Sequence, residues 1–307
     1  MVKVRLLLTG SAGLVGREAA LAGVGRGHTV YSGWHDREPD AGTPVHLDIT
    51  DSLSVRRAFE LKPDAVIHLA ALTDVDKCEA DESMASEVNG VATERIAREA
   101  STSNVHVIYV STDYVFDGEK GFYSEDDKPK PVNKYGWSKL RGEEAVEASS
   151  CSWCIARIST PFGLHPFRRS FATFLAEKLT LGEKVNVVSD QFTSPTFTGD
   201  LSDILVEIAE RHVEGILHVS GGERCSRLDF ATALAERLSL DSGLINPVFM
   251  NDIPWKAPRP RDSSLIVEKA SSILNCKPRK LAESLGRYAE LYARAQTESE
   301  SFNKRRS

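Results

Sequence analysis

A tyrosine and a lysine four residues apart, Tyr135 and Lys139, are the residues of this 307-residue chain best suited to chemistry. On a helix this spacing places both side chains on one face. A neighbouring ammonium favours the phenolate and lowers the pKa of a tyrosine, so we predict that Tyr135 donates a proton near neutral pH. Thr112 follows the apolar run 106–110 and could hold a substrate carbonyl through its hydroxyl. Many such tyrosine–lysine pairs lie on the solvated surface of a helix. The neighbouring elements therefore determine whether this pair is catalytic.

A glycine-rich segment near the N-terminus predicts a dinucleotide site. Residues 10–16 read G-x-x-G-x-x-G and lie between an apolar run, 2–8, and a predicted helix, 17–26. Glycines allow the backbone to approach a pyrophosphate, and the N-terminus of a helix favours its negative charge. An ordinary strand-to-helix turn is the alternative.

The end of the second predicted strand, 29–33, bears on the choice of cofactor. Folds that prefer NAD usually place an acid there to bind the ribose 2′-hydroxyl. This chain has Trp34 and His35 instead, with Asp36 slightly late and Arg37 after it. The missing acid and the two basic residues favour NADPH, with NADH as the alternative. His35 and Arg37 could also be solvated loop residues.

Strands and helices alternate along the first half of the chain, which predicts a doubly wound parallel sheet. A long helix is predicted at 83–101 and the helix that carries Tyr135 at 133–148. After about residue 160 the alternation loosens. Residues 254–261 hold three prolines and two arginines, which excludes regular structure there. The polar tail from Thr297 is predicted to be disordered.

Composition excludes several classes of function. The chain is 41% hydrophobic, enough for a substantial core, and its net charge of −6 argues against nucleic acid as a partner. The sequence shows no membrane-spanning run and no signal peptide. Cys151 and Cys154 form a C-x-x-C without a second pair or a histidine cluster, so no metal site is predicted and redox chemistry is not favoured. We therefore expect a cytoplasmic protein.

Five motifs together resemble those of a known family: T-G-S-A-G-L-V-G, H-L-A-A, S-T-D-Y-V-F-D-G, Y-G-W-S-K and D-Q-F-T-S-P-T. The combination resembles the extended short-chain dehydrogenases/reductases and, among these, the dTDP-4-dehydrorhamnose reductases. The resemblance implies a Rossmann-type dinucleotide-binding domain, at 1–160 plus about 193–222. It also implies a smaller α+β substrate-binding domain, at about 161–192 and 223–296, before the tail 297–307.

The resemblance also implies roles for individual residues. Tyr135 would donate a proton to the sugar C4 oxygen as hydride arrives from the nicotinamide, Lys139 would hold the nicotinamide ribose, and Thr112 would hydrogen-bond the carbonyl. Asn89 matches a structural asparagine of the family. The cofactor contacts predicted from the residues and the resemblance are Gly10, Ser11, Ala12, Gly13, Leu14, Val15, His35, Arg37, Asp48, Ile49, Leu69, Ala70, Ala71, Ser111, Tyr135, Lys139 and Ser159. The predicted substrate contacts are Thr73, Tyr114, Gln191 and Arg259.

The predicted function is an NADPH-dependent reductase of a 4-keto deoxysugar nucleotide. The loop 164–169 departs from the glycine- and asparagine-rich loop of rhamnose reductases, which leaves the nucleotide sugar open. Arginines at 168, 169, 259 and 261 could bind its diphosphate. One alternative is a nucleotide-sugar epimerase. Another is a non-catalytic NADP-binding subunit, since the regulatory β subunit of methionine adenosyltransferase shares S-x-D-Y-V-F-D-G and Y-G-x-x-K. The retained Thr112, Tyr135 and Lys139 favour the enzyme. A homodimer is expected, because two-fold dimers are the commonest soluble oligomers.

Overall fold

The computed structural model describes the backbone of residues 3–304 and the side chains of residues 3–297. Its strands are β1 Arg5–Thr9, β2 Thr29–Trp34, β3 Thr43–His46, β4 Ala65–His68, β5 His106–Thr112, β6 Trp153–Ile158, β7 Pro161–Phe162, β8 Val185–Val188, β9 Phe192–Thr193, β10 Thr196–Phe197, β11 Gly215–His218, β12 Cys225–Ser226 and β13 Ile245–Val248.

The helices alternate with these strands. They are α1 Leu14–Gly25, α2 Ser52–Phe59, α3 Val75–Ala80, α4 Glu82–Ser86, α5 Ala92–Ser103, α6 Lys134–Glu147, α7 Phe171–Thr180, α8 Thr198–Arg211, α9 Arg227–Arg237, α10 Glu268–Ile273 and α11 Leu281–Lys304. Short 3₁₀ turns cover Asp113–Val115, Ser242–Leu244 and Met250–Asp252, and a π-helical turn covers Glu87–Val91.

Seven parallel strands form the central sheet, in the order β11-β6-β5-β4-β1-β2-β3. The strand order reverses between β1 and β4, and in sheets of this type ligands bind at the carboxyl ends of the strands beside such a reversal. The predicted doubly wound Rossmann-type sheet is confirmed. Every residue of β4 and of β5 is buried, as expected for strands covered on both faces.

Helices cover both faces of the sheet. On one face, side chains of α1 and α8 pack against alternate residues of β1, such as Leu6 and Leu8. On the other face, side chains of α2, α5 and α6 pack against Leu7 and its neighbours in the sheet. Alternation along each strand therefore divides the core into two layers.

A smaller α+β lobe lies after β6. Three two-stranded sheets, β7 with β10, β8 with β13 and β9 with β12, are joined by α7, α9 and α11. Their core contains Phe162, Phe230 and Tyr288. Between the segments of this lobe the chain returns to the large sheet through α8 and β11. The residue boundaries given above for the two domains stay a prediction.

Two segments of the chain differ from their predictions. The helix expected at 83–101 is interrupted, because the side chain of Asn89 is drawn inward to Leu72 and Ser138 and the backbone there forms the π-helical turn. At the C-terminus, α11 continues to Lys304, so 297–304 is helical where the sequence predicts disorder. Polar residues without glycine or proline can continue a helix that is anchored earlier. Residues 305–307 lie outside the described part. None of the described helices is long and apolar enough to span a bilayer.

Candidate active site

Thr112 and Tyr135 meet at the carboxyl edge of the sheet. Thr112 ends β5, and Tyr135 lies in the first turn of α6. Any side chain at Gly136 would collide with the carbonyl oxygen of Tyr114, so glycine permits α6 to pack directly on the turn that follows Thr112. This close packing places Tyr135 beside Thr112, whose hydroxyl is one of the groups that act on the pKa of the phenol.

The phenol of Tyr135 is protonated at neutral pH in this environment. Its ring is partly exposed and lies edge-on to Tyr114, with 5.8 Å between the ring centroids. Burial raises the pKa of Tyr135 above its ordinary value, and the hydrogen bond with Thr112 only partly opposes this. The prediction that the pKa of Tyr135 is lowered is therefore wrong for this arrangement, because burial and the neighbouring charge of Asp113 both raise it.

Lys139 lies one turn further along α6 and is buried. Its Nζ donates to the carbonyl oxygen of Val110 at 2.8 Å and lies 4.1 Å from the centroid of the Tyr109 ring. Burial lowers the pKa of Lys139 to about 7, while the charge of Glu143 acts in the opposite direction. The ammonium keeps two further donors for a ligand.

A buried carboxylate, Asp113, joins three parts of the chain behind Thr112. Its Oδ2 accepts from the hydroxyls of Ser159 at 2.8 Å and Ser263 at 2.6 Å, and its Oδ1 accepts from Thr112 at 3.2 Å. Burial raises the pKa of Asp113, whereas these hydroxyls lower it. Sequence reasoning missed Asp113 and Ser263, although Asp113 stands inside the S-T-D-Y motif.

The glycine loop lies where a dinucleotide pyrophosphate is expected. Gly10 has a φ of +67°, and a Cβ there would lie 2.8 Å from the amide nitrogen of Ala70, so the close approach requires glycine. The Thr9 hydroxyl accepts from the amides of Leu69 and Ala70, and the Ser11 hydroxyl donates to the carbonyl of Gly33. The fold thus brings the segments that follow β1, β2 and β4 together, and these segments contain predicted cofactor residues.

The helix behind this loop, α1, begins at Leu14 with Gly13 as its N-cap. Glycine supplies no side chain to cap the first amides, so their N–H groups suit a phosphate. Ala12 and Val15 flank these positions in the same loop and first turn, and Ala71 continues the segment that follows β4. Their contacts with a cofactor stay predictions.

The segment that follows β2 carries charged side chains of both signs. His35 pairs with Asp36 at 2.9 Å and lies 3.7 Å from Asp48. The guanidinium of Arg37 lies 3.8 Å from the ring centroid of Phe167, in the loop that departs from the rhamnose reductases. This loop therefore reaches the predicted adenosine end of the cofactor site, and a contact of Arg168 with a diphosphate stays a prediction.

Three of the four predicted substrate residues, Tyr114, Gln191 and Arg259, lie near one another. Gln191 donates to the carbonyl of Pro260 at 3.1 Å, and Tyr114 interacts with Gln191 and with the charge of Arg259. Thr73 is separate, exposed in the loop between β4 and α3.

Arg259 and Arg227 are the basic groups of this part of the cleft. Arg259 is 10% exposed at its side chain and pairs with Asp76 at 3.1 Å. Arg227 donates from Nε to Oε1 of Gln191 at 2.6 Å. Sequence reasoning missed Arg227, since it lies in no motif and simply follows the N-cap of α9.

Some other predicted contacts already have partners within the protein. The Ser111 hydroxyl donates to Glu143, the Ser159 hydroxyl to Asp113, and the carboxylate of Asp48 accepts from Thr50. Arg169 pairs with Glu177, and Arg261 is 71% exposed at its side chain and 3.9 Å from Asp190. Ile49 is buried beside Asp48. Whether these residues also touch a ligand stays a prediction.

Comparison with known proteins identifies the family. The RmlD substrate binding domain family matches residues 4–294. The chain belongs to this family. The resemblance to extended short-chain dehydrogenases/reductases and to dTDP-4-dehydrorhamnose reductase is thereby confirmed.

Several members of the family are similar over nearly their whole length. A probable low-salt glycan biosynthesis reductase, Agl14 of Haloferax volcanii, is 35% identical over 91% of this chain and 95% of its own. Methionine adenosyltransferase 2 subunit beta of Xenopus tropicalis is 32% identical over 88% and 82%. The crystal structure of dTDP-4-dehydrorhamnose reductase from Bacillus anthracis in complex with NADP superposes with a TM-score of 0.84 at 27% identity, covering 94% of this chain and 99% of that one.

Proposed function

We propose that the protein is an NADPH-dependent reductase of a 4-keto deoxysugar nucleotide. The observation that carries the proposal is the placement of Thr112, at the end of β5, beside Tyr135, in the first turn of α6, with Lys139 one helical turn away. Two hydroxyl donors that converge on one point suit a carbonyl oxygen that gains negative charge.

Each of the three residues has a chemical task. Tyr135 donates a hydrogen bond to the C4 carbonyl oxygen of the sugar, and Thr112 donates a second one when its hydroxyl turns from Asp113 to the substrate. NADPH supplies the hydride when bound. As the oxygen becomes an alkoxide, Tyr135, which is protonated at neutral pH, transfers its proton to it. The ammonium of Lys139 then favours the phenolate that remains.

The residues around the glycine loop fit a dinucleotide. The approach of Gly10 to Ala70 leaves room for no side chain, and Gly13 exposes the first amides of α1. Arg37 and His35 suit a 2′-phosphate, and the Bacillus anthracis relative holds NADP. We therefore propose NADPH as the preferred cofactor, with NADH as the weaker one.

The rim of the cleft supports an anionic substrate. Arg259 and Arg227 flank Gln191 and Tyr114, and guanidinium groups bind phosphates through paired hydrogen bonds. We propose that the nucleoside diphosphate of the substrate lies there, while the sugar faces Thr112. Thr73 would contact it from the other side.

The experiment that tests this function follows the absorbance of NADPH with a panel of 4-keto sugar nucleotides, beginning with dTDP-4-dehydrorhamnose. We expect the absorbance of NADPH to fall only when a suitable substrate is present. Tight NADPH binding without turnover across the panel would instead support the regulatory alternative, which the Xenopus tropicalis relative keeps open. A sugar product changed at a stereocentre without net oxidation of NADPH would support an epimerase.

We also propose a homodimer in the cytoplasm. A groove between α5 and α6 is lined by small residues, among them Gly90, Ala97 and Ala145, and by the exposed side chain of Val91. Two acids and two arginines also line it, so two copies related by a two-fold axis can match opposite charges. Sedimentation analysis would test the dimer. All five cysteines are free thiols, which supports a reducing compartment.

A further inference from the structure

Three charged side chains are buried together beneath the candidate active site. Lys139 is 3% exposed, and Glu143 and Arg157 are each 2% exposed. Lys139 and Glu143 are four residues apart on α6 and share one face, whereas Arg157 comes from β6. A core this dry strengthens every charge interaction within it.

Glu143 is held in one orientation by two partners. Its Oε1 accepts from the Ser111 hydroxyl at 2.5 Å and from Nε of Arg157 at 3.0 Å, and its Oε2 accepts from Nη2 of Arg157 at 2.7 Å. This is a two-pronged guanidinium–carboxylate pair. Arg157 is fixed in turn, with its guanidinium 5.1 Å from the centroid of the Phe116 ring.

Stability alone does not account for such a pair. Taking two charges out of water costs several kcal/mol for each ion, and apolar side chains of similar volume often serve a core equally well, by the order-of-magnitude rule for buried pairs. The alternative to a purely stabilising pair is that the charge of Glu143 has a role of its own. The group on which it can act is the buried ammonium of Lys139.

Groups from three other elements also face Lys139. β5 contributes the carbonyl of Val110 and the ring of Tyr109, and β4 contributes His68. Burial lowers the pKa of His68 to about 3, so it is neutral and adds no charge. Tyr135, on α6 itself, is neutral until it gives up its proton, and Arg157 of β6 acts from behind Glu143. Among these groups, Glu143 is the one whose negative charge favours the ammonium form of Lys139.

We propose that Glu143 is a positioning residue whose carboxylate, oriented by Arg157 and Ser111, favours the charged form of Lys139 in this buried site. Without Glu143, two cations would be buried together. Arginine does not lose its proton in proteins, so Lys139 would lose its own. The consequence for catalysis rests on the proposed function, since a neutral Lys139 cannot stabilise the phenolate of Tyr135. The protonation of Lys139 itself does not depend on that function.

The test measures the titration of Lys139 directly, by NMR of protein labelled with ¹³C at lysine Cε and stripped of nucleotide. Lys139→Met identifies the resonance. Glu143→Gln keeps the shape and removes the charge, and it should move the titration midpoint of Lys139 to lower pH by about one to three units. Arg157→Gln removes the opposing charge and should move the midpoint to higher pH. Arg157→Lys keeps the charge and should move it least.

The opposite directions are the decisive result, because a purely structural role gives no reason for them. Unchanged midpoints, or shifts in the same direction for both folded variants, would overturn the proposal. If Glu143→Gln fails to fold, as judged by circular dichroism, the double variant Glu143→Gln/Arg157→Gln replaces it. Its midpoint should lie below that of Arg157→Gln, and equal midpoints would overturn the proposal. If the variants show the expected midpoint shifts but the parental protein turns over no substrate, the proposed function is refuted and the role of Glu143 stands.

Discussion

The floor and the rim of the cleft are built in different ways. The floor, which we define as Thr112, Tyr135 and Lys139, comes from one strand and the helix that packs on it. The rim, defined as Gln191, Arg227 and Arg259, comes from two loops and the first residue of a helix in the smaller lobe. Hydrogen bonds to buried groups of the Rossmann sheet fix the floor residues in place. The rim residues instead contact mainly one another and Asp76.

This difference indicates a division of labour. Donors fixed in a dry site need no reorganisation when charge develops, so the floor should act on the transition state. Groups on loops can grip the remote part of a substrate equally well before and during the reaction, so the rim should act on binding. Changes to the floor should therefore affect kcat, and changes to the rim should affect KM.

The largest expected effect comes from Tyr135→Phe in the floor. The ring and its packing against Tyr114 remain, but the proton donor is lost, so kcat should fall roughly 10²- to 10⁴-fold, the usual contribution of general acid catalysis. Affinity for NADPH, measured by calorimetry, should be unchanged. Tyr114→Phe is the matched control and should leave kcat near the parental value. A parental kcat for Tyr135→Phe would remove Tyr135 from the chemistry.

A smaller effect is expected from Arg259→Ala in the rim. Loss of a charge-assisted hydrogen bond costs about 1.5–3 kcal/mol, so KM should rise roughly 10- to 150-fold with kcat little changed. Steady-state kinetics with the best substrate of the panel would measure this.

The control for Arg259 is Asp76→Asn, because Asp76 holds both Arg259 and the backbone of Lys256 and Ala257. The asparagine oxygen can still accept from these amides, so this variant should raise KM much less than Arg259→Ala. Equal increases would show that Arg259 only anchors its loop.

The smallest expected effect lies at the far end of the cofactor site. Arg37→Ala should weaken NADPH binding about tenfold and leave NADH binding unchanged, because it removes one charge-assisted hydrogen bond at an exposed position. Calorimetric titration with both nucleotides would show it. Phe167→Leu is the companion variant, since the Phe167 ring stacks on Arg37, and it should weaken NADPH binding to a lesser extent. Equal losses for NADPH and NADH would contradict a 2′-phosphate role.

The floor could be predicted from the sequence because its signals are local. The apolar run before Thr112, the spacing of Tyr135 and Lys139, and the glycines after β1 each reflect a strand, a helix or a turn. The fold then places these elements at one edge of the sheet, because parallel strands end together.

The rim and the buried charges could not be predicted in this way. The bond between Asp113 and Ser263 joins residues 150 positions apart, and the bond between Arg227 and Gln191 exists only because α9 docks on the loop after β8. The protonation of Lys139 and Tyr135 was also misjudged, because spacing shows which groups are neighbours but not how deeply they are buried.

The central claim, hydride transfer to the sugar with a proton from the floor, can be tested with NADPH deuterated at the transferable position of the nicotinamide. We predict that the reduced sugar nucleotide gains one deuterium at C4 and that the deuterium stays there, as measured by mass spectrometry and NMR. Product without deuterium, deuterium at another carbon, or no product from any 4-keto sugar nucleotide would contradict it.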